Sequence, residues 1–77
     1  MAAATPVYQR IVDDIEAKIR TGELRPSQRL PSLAKLTLAY GCSAQPVKTA
    51  LRLLQYAGVL EGHQGRGVYV TDRQPNG

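Results

Sequence analysis

Apolar residues recur at three- and four-residue steps at Tyr8, Ile11, Val12, Ile15 and Ile19, while Arg10, Asp13, Asp14, Glu16, Lys18 and Arg20 fall mainly off that line. This spacing predicts an amphipathic helix of about four turns. Thr5 can cap its start, with Pro6 at the first helical position, where a missing N–H costs little. Gly22 is placed to end the helix, and Glu23 to Ser27 reads as a turn-rich link. A second, short helix is expected from Leu33 to Tyr40, with Ser32 as its cap and Gly41 as its left-handed terminator. Ser43 then caps a third helix, in which Val47, Ala50, Leu51 and Leu54 make the buried stripe and Pro46 sits in the first turn. Gln45, Lys48, Thr49, Arg52 and Gln55 lie largely outside that stripe.

Gly58 ends the third helix. From Val59 to Thr71 two β-rich runs flank a glycine-rich tip, the signature of a hairpin. A short strand at Arg29-Leu30 is expected beside it. Residues 1–5 are read as a disordered N-terminus, 6–71 as the folded domain and 72–77 as a flexible tail or truncated linker. The fold class is mainly α with a small β element: three helices plus a C-terminal hairpin. Helix, glycine-containing turn and helix, as at Leu33 to Leu54, is the arithmetic of a helix-turn-helix.

Length and composition narrow the function. With 77 residues a single core is expected and a second catalytic or effector domain is not. Ten Lys or Arg against six Asp or Glu give a net charge of +4, which favours anionic partners. One cysteine, Cys42, cannot close an internal disulfide, and Cys42 with the lone His63 cannot supply a structural zinc set. No nucleophile, base and orienting group can be assembled from them, so neither catalysis nor a metal or cofactor is expected. Asp13, Asp14 and Glu16 sit too close in sequence to face one another on a helix and read as a solvated face. No leader or membrane-length apolar run is present, and the chain is expected in the cytoplasm, associated with the nucleoid.

The helix-turn-helix is the sharpest chemical signal. Its second helix offers Gln45 for paired hydrogen bonds to a base edge, Lys48 and Arg52 for guanine or phosphate, and Ser43 and Thr49 for either. Gly65-Arg66-Gly67 puts one cation on a tip whose glycines allow close backbone approach, as a β-wing beside phosphate or minor groove requires. The alternative for the helices is a plain three-helix core with a solvated polar face, and for the tip a loose turn. A nucleotide cradle at Gly62, Gly65 and Gly67 fits worse, because such loops open a helix and this one is flanked by strands. His63 reads as a bystander in the turn, and Cys42 as a buried small residue between helices 2 and 3. Leu33 and Leu38, with Leu36 and Ala39, make helix 2 apolar on more than one face, which supports a rival reading as a protein-interaction module.

Tyr8 with Ile11-Val12, Ile19 to Leu24, Arg29 to Ser32, Tyr40 to Ser43, Ala50 to Leu54 with Gly58, and Gln64 to Val70 together resemble the GntR family of bacterial transcription regulators. The resemblance covers about residues 6–71 in one register. It implies a winged helix-turn-helix that binds double-stranded operator DNA, usually as a dimer on a palindrome, with helix 3 in the major groove and the wing tip in the minor groove. Carried over, the family's capping hydroxyl falls on Ser43, its mid-helix basic residue on Lys48 and its wing-tip pair on Gln64 and Gly65.

Three departures stand out. Leu33 and Ala34 replace the usual Glu-Arg, Ala44 replaces an Arg after the capping hydroxyl, and Pro46 replaces a Thr. Gln45, Lys35, Lys48 and Arg52 are the available substitutes for the two missing guanidinium groups, each worth roughly 1–3 kcal/mol as a bidentate contact. The family normally continues into an effector-binding, dimerising domain near where this sequence stops. The expected function is sequence-specific DNA binding for transcriptional control, as a repressor, with the Leu33 and Leu38 surface as the alternative.

Overall fold

The computed structural model describes residues 5–72. The expected disorder of residues 1–4 and the tail at 73–77 lie outside them. Three helices precede a two-stranded antiparallel hairpin: α1 (Val7–Thr21), α2 (Leu33–Tyr40), α3 (Ala44–Tyr56), β1 (Leu60–His63) and β2 (Gly67–Val70).

Each helix ends where its sequence stops supporting it. Gly22 follows α1 with φ 87 and Gly41 follows α2 with φ 64, both left-handed conformations that a residue with a Cβ resists. Ser32 caps α2 by accepting the Lys35 N–H at 3.3 Å. At α1 the expected capping by Thr5 is corrected. Pro6 is itself the N-cap, with ψ 148 outside the helical range, no side chain caps the helix, and the Pro6 carbonyl accepts from the Gln9 and Arg10 N–H groups instead.

Two correctly spaced stripes meet in the core. Ile11 and Ile15 of α1 pack with Val47, Ala50 and Leu54 of α3, and Leu24, Leu30, Leu36, Val59, Leu60 and Val70 close the remaining sides. Tyr8, Val12, Ile19, Leu33, Cys42 and Leu51 pack around them, partly buried. Burying each large aliphatic side chain contributes roughly 1.5–3 kcal/mol, and among the described residues no polar side chain is buried to offset that gain.

The hairpin pairs Leu60 with Val70, Glu61 with Tyr69, Gly62 with Val68 and His63 with Gly67. The segment before α2 runs along the free edge of β2. Arg29 bridges Tyr69, the Leu30 N–H donates to Val68 at 2.8 Å, and the Val70 N–H donates to Gln28 at 2.9 Å. The expected strand at Arg29-Leu30 is thus present as an isolated bridge. It ties the start of the helix-turn-helix to the wing.

Candidate nucleic-acid interface

Gln45, Lys48, Thr49 and Arg52 stand at helical steps of three and four on the side of α3 opposite Val47, Ala50 and Leu54. Gln45, Lys48 and Arg52 are exposed and Thr49 is half-buried. The Gln45 Nε2 donates to Thr49 Oγ1 at 3.4 Å. Tyr56, 83% exposed, continues the line one turn beyond Arg52. Gln55 leaves this face for the hairpin: a Cβ on Gly62 would lie 3.2 Å from its Oε1.

Ser43 holds the N-cap position of α3, but its side chain makes no capping bond, which corrects the expected role. A capping hydroxyl accepts an N–H from two or three residues ahead. Three residues ahead is Pro46, which has no N–H to give. The hydroxyl therefore stays exposed beside the half-buried Ala44 at the first turn.

The tip of the hairpin is Gln64-Gly65-Arg66, all exposed, closed by the Arg66 N–H donating to the His63 carbonyl at 2.9 Å. Gly65 has φ 79, the left-handed value that a tight tip needs. His63 is exposed, with its Nε2 3.1 Å from Glu61 Oε1 and its ring edge-on to Tyr69 at 5.1 Å.

Charge is segregated. No Asp or Glu occurs between Glu23 and Glu61, a stretch that carries Arg25, Arg29, Lys35, Lys48 and Arg52. Among the described residues the one Lys or Arg ion pair is Lys18 with Asp14, so Lys35, Lys48, Arg52 and Arg66 have no carboxylate partner there. The acidic side chains gather on α1. There Asp14 accepts from the Tyr40 hydroxyl at 2.7 Å and sits 3.1 Å from Lys18 Nζ. The Tyr40 hydrogen bond, then Lys18, hold the Asp14 carboxyl below its usual range against the opposing effect of burial. Burial, reinforced by Asp14, pushes the Tyr40 hydroxyl well above the ordinary tyrosine value. This contact docks α2 on α1 and was not read from the sequence.

Of the two leucines set apart on α2, Leu33 packs against the core and Leu38 is 82% exposed. Cys42, expected to be buried, is only half-buried, packed against the edge of the core.

A helix-turn-helix whose second helix presents an unpaired cationic and amide face, followed by a glycine-tipped hairpin, defines the winged helix-turn-helix class. Residues 7–70 match the family described as bacterial regulatory proteins, gntR family, and the chain belongs to that family. It is 39% identical over 71 residues to the mannosyl-D-glycerate transport/metabolism system repressor MngR of Escherichia coli strain K12, covering 92% of this chain and 30% of that protein. It is 37% identical over 71 residues to the histidine utilization repressor of Klebsiella aerogenes, again covering 92% of this chain and 30% of the relative. The chain thus spans under a third of these relatives' length. Among solved structures, AraR(DBD) in complex with operator ORR3 superposes with a TM-score of 0.87 at 27% identity, covering 92% of this chain and 86% of that one.

Proposed function

We propose that this domain binds operator DNA sequence-specifically and serves as the DNA-reading part of a transcriptional repressor. One observation carries the reading: the outward face of α3 bears Gln45, Lys48, Thr49 and Arg52, and its two cations have no carboxylate partner among the described residues. In this arrangement α3 enters the major groove, where Gln45 and Lys48 read base edges and Arg52 meets guanine or phosphate. Ser43 Oγ and the N–H groups of Ala44 and Gln45 take a phosphate at the helix start, where the helix dipole assists. Gln64, Gly65 and Arg66 lie along the minor groove, and Lys35 meets the flanking backbone.

The likeness to AraR(DBD), solved on an operator, supports this placement, as do the repressor names of the relatives. One half-site offers limited surface, so the operator is a palindrome occupied by two copies, whose combined affinity exceeds that of either. Such a protein works in the cytoplasm on the nucleoid. No described helix is long and apolar enough to cross a membrane.

Selection of bound sequences from a random duplex pool tests the reading. The expected result is an enriched motif with two inverted halves. A pool that returns with unchanged base frequencies would contradict it.

The exposed Leu38 favours a second reading, in which α2 docks a protein partner. A Leu38→Glu variant that alters self-association while leaving duplex binding intact would support it.

A further inference from the structure

Arg29 was not among the residues expected to meet DNA. In the structure it lies on the edge segment opposite Tyr69 of β2, and directly opposed residues in an antiparallel bridge share a face. Gly67, two residues nearer the tip on the same strand, shares that face as well. The Arg29 side chain runs along it: a Cβ built on Gly67 would sit 2.9 Å from its Nε, 3.5 Å from Nη2 and 3.6 Å from Cζ. Gly67 directly follows Arg66, so the Arg29 guanidinium is delivered to the wing tip from a segment 37 residues earlier in the chain.

Glu61 shares this face but its carboxylate lies against His63, and among the described residues Arg29 makes no ion pair. Arg29 is exposed, and it lines the same groove as Lys35 at the start of α2. A guanidinium lying against Gly67, beside the exposed Arg66 in sequence and free of an ion pair among the described residues, suits a polyanion. The absence of a side chain at Gly67 is what lets it lie there.

We propose that Arg29 is a second phosphate-binding cation of the wing, gripping the DNA backbone beside Arg66 and joining the wing contact to that of Lys35. This rests on the DNA-binding reading above. The Arg29 contact positions the domain and does not read bases, since a guanidinium on phosphate carries no sequence information.

The test is a salt series of duplex titrations with the intact chain and with Arg29→Gln, Arg29→Lys and Arg66→Ala. Losing one phosphate contact makes the slope of log affinity against log salt shallower by about 0.9, an affinity loss of about eightfold near 0.1 M salt. Arg29→Gln is expected to show this loss on every duplex, with an unchanged unfolding midpoint, and Arg29→Lys to recover most of the slope. An unaltered slope in Arg29→Gln, with a shallower one in Arg66→Ala, would overturn the proposal and leave the DNA-binding reading standing. No change in either variant would overturn both assignments at the wing. The Nε–Hε resonance of Arg29 in the unsubstituted chain gives an independent readout: it should move on addition of duplex, and a stationary signal counts against the contact.

Discussion

Ser43 stands at the N-cap of α3 with no capping bond, and Pro46 fills one of the two positions from which a cap N–H would come. The pair couples local stability to the interface. A hydroxyl that caps its own helix is occupied, and one denied its partner is available to a phosphate. Ser43→Ala should therefore cost less than about 0.5 kcal/mol in the natural background and about 1 kcal/mol when Pro46 is also Ala, because the restored N–H makes the cap possible. Denaturant unfolding of the two single variants and the double variant measures this coupling. Equal costs in both backgrounds would show that Pro46 does not govern the cap.

Lys48 and Arg66 are assigned different tasks and should fail differently. Lys48→Ala should relax base preference by roughly 1–3 kcal/mol at one position of the half-site. Arg66→Ala should weaken binding to all duplexes and make the salt slope shallower by about 0.9. Competition titrations against single-base operator variants separate these outcomes, and the reverse pattern would exchange the roles of helix and wing.

The Tyr40 hydroxyl and the Asp14 carboxylate hold α2 against α1, so Tyr40→Phe should lower stability by about 1 kcal/mol, a charged hydrogen bond discounted for its partial exposure. The pH dependence has a definite sign. Asp14 is held below its unfolded value, so its contribution is full above about pH 4 and fades as pH falls through the lowered folded value. Tyr40 is raised, so its contribution is full below about pH 10 and fades only as pH rises through its folded value. Tyr40→Phe should remove part of the acid sensitivity below about pH 4. An unfolding midpoint that falls identically with pH in both proteins would contradict the contact.

Gly41 and Gly67 both take positive φ, 64 and 124, yet their alanine variants should differ. Nothing lies within 4 Å of a Cβ on Gly41, so Gly41→Ala should cost only the left-handed backbone, roughly 1–2 kcal/mol. On Gly67 a Cβ meets Arg29 Nε at 2.9 Å as well. Gly67→Ala should therefore be more destabilising and should also weaken DNA binding by displacing Arg29. Thermal unfolding with duplex titration compares them, and an equal cost at both sites would remove the argument that Gly67 makes room for Arg29.

Much of this was legible in the chain because local rules and tertiary demands agree. The steps from Ile11 to Ile15 and from Val47 to Leu54 mark the faces that are buried, and Gly22 and Gly41 end helices where left-handed geometry was expected. The failures have tertiary or steric causes. Leu33 and Leu38 look alike in a short apolar helix, and only the neighbours packed around α2 bury part of one and leave the other in solvent. Ser43 was assigned a cap from residue type, although the proline three positions on removes one of the two N–H groups a cap can use. Arg29 reaches the wing through a bridge to Tyr69, forty positions later, and no short-range pattern encodes that meeting.

The central claim is that the outward face of α3 and the tip of the hairpin touch the same duplex. Mapping backbone amide shifts as duplex DNA is added tests it most directly. Large changes at Ser43 to Arg52 and Gln64 to Gly67, with smaller ones at Arg29 and Lys35 and with Asp13, Glu16 and Leu38 unmoved, are the expected result. Changes centred on α1 or on Leu38, with α3 and the hairpin tip silent, would contradict it.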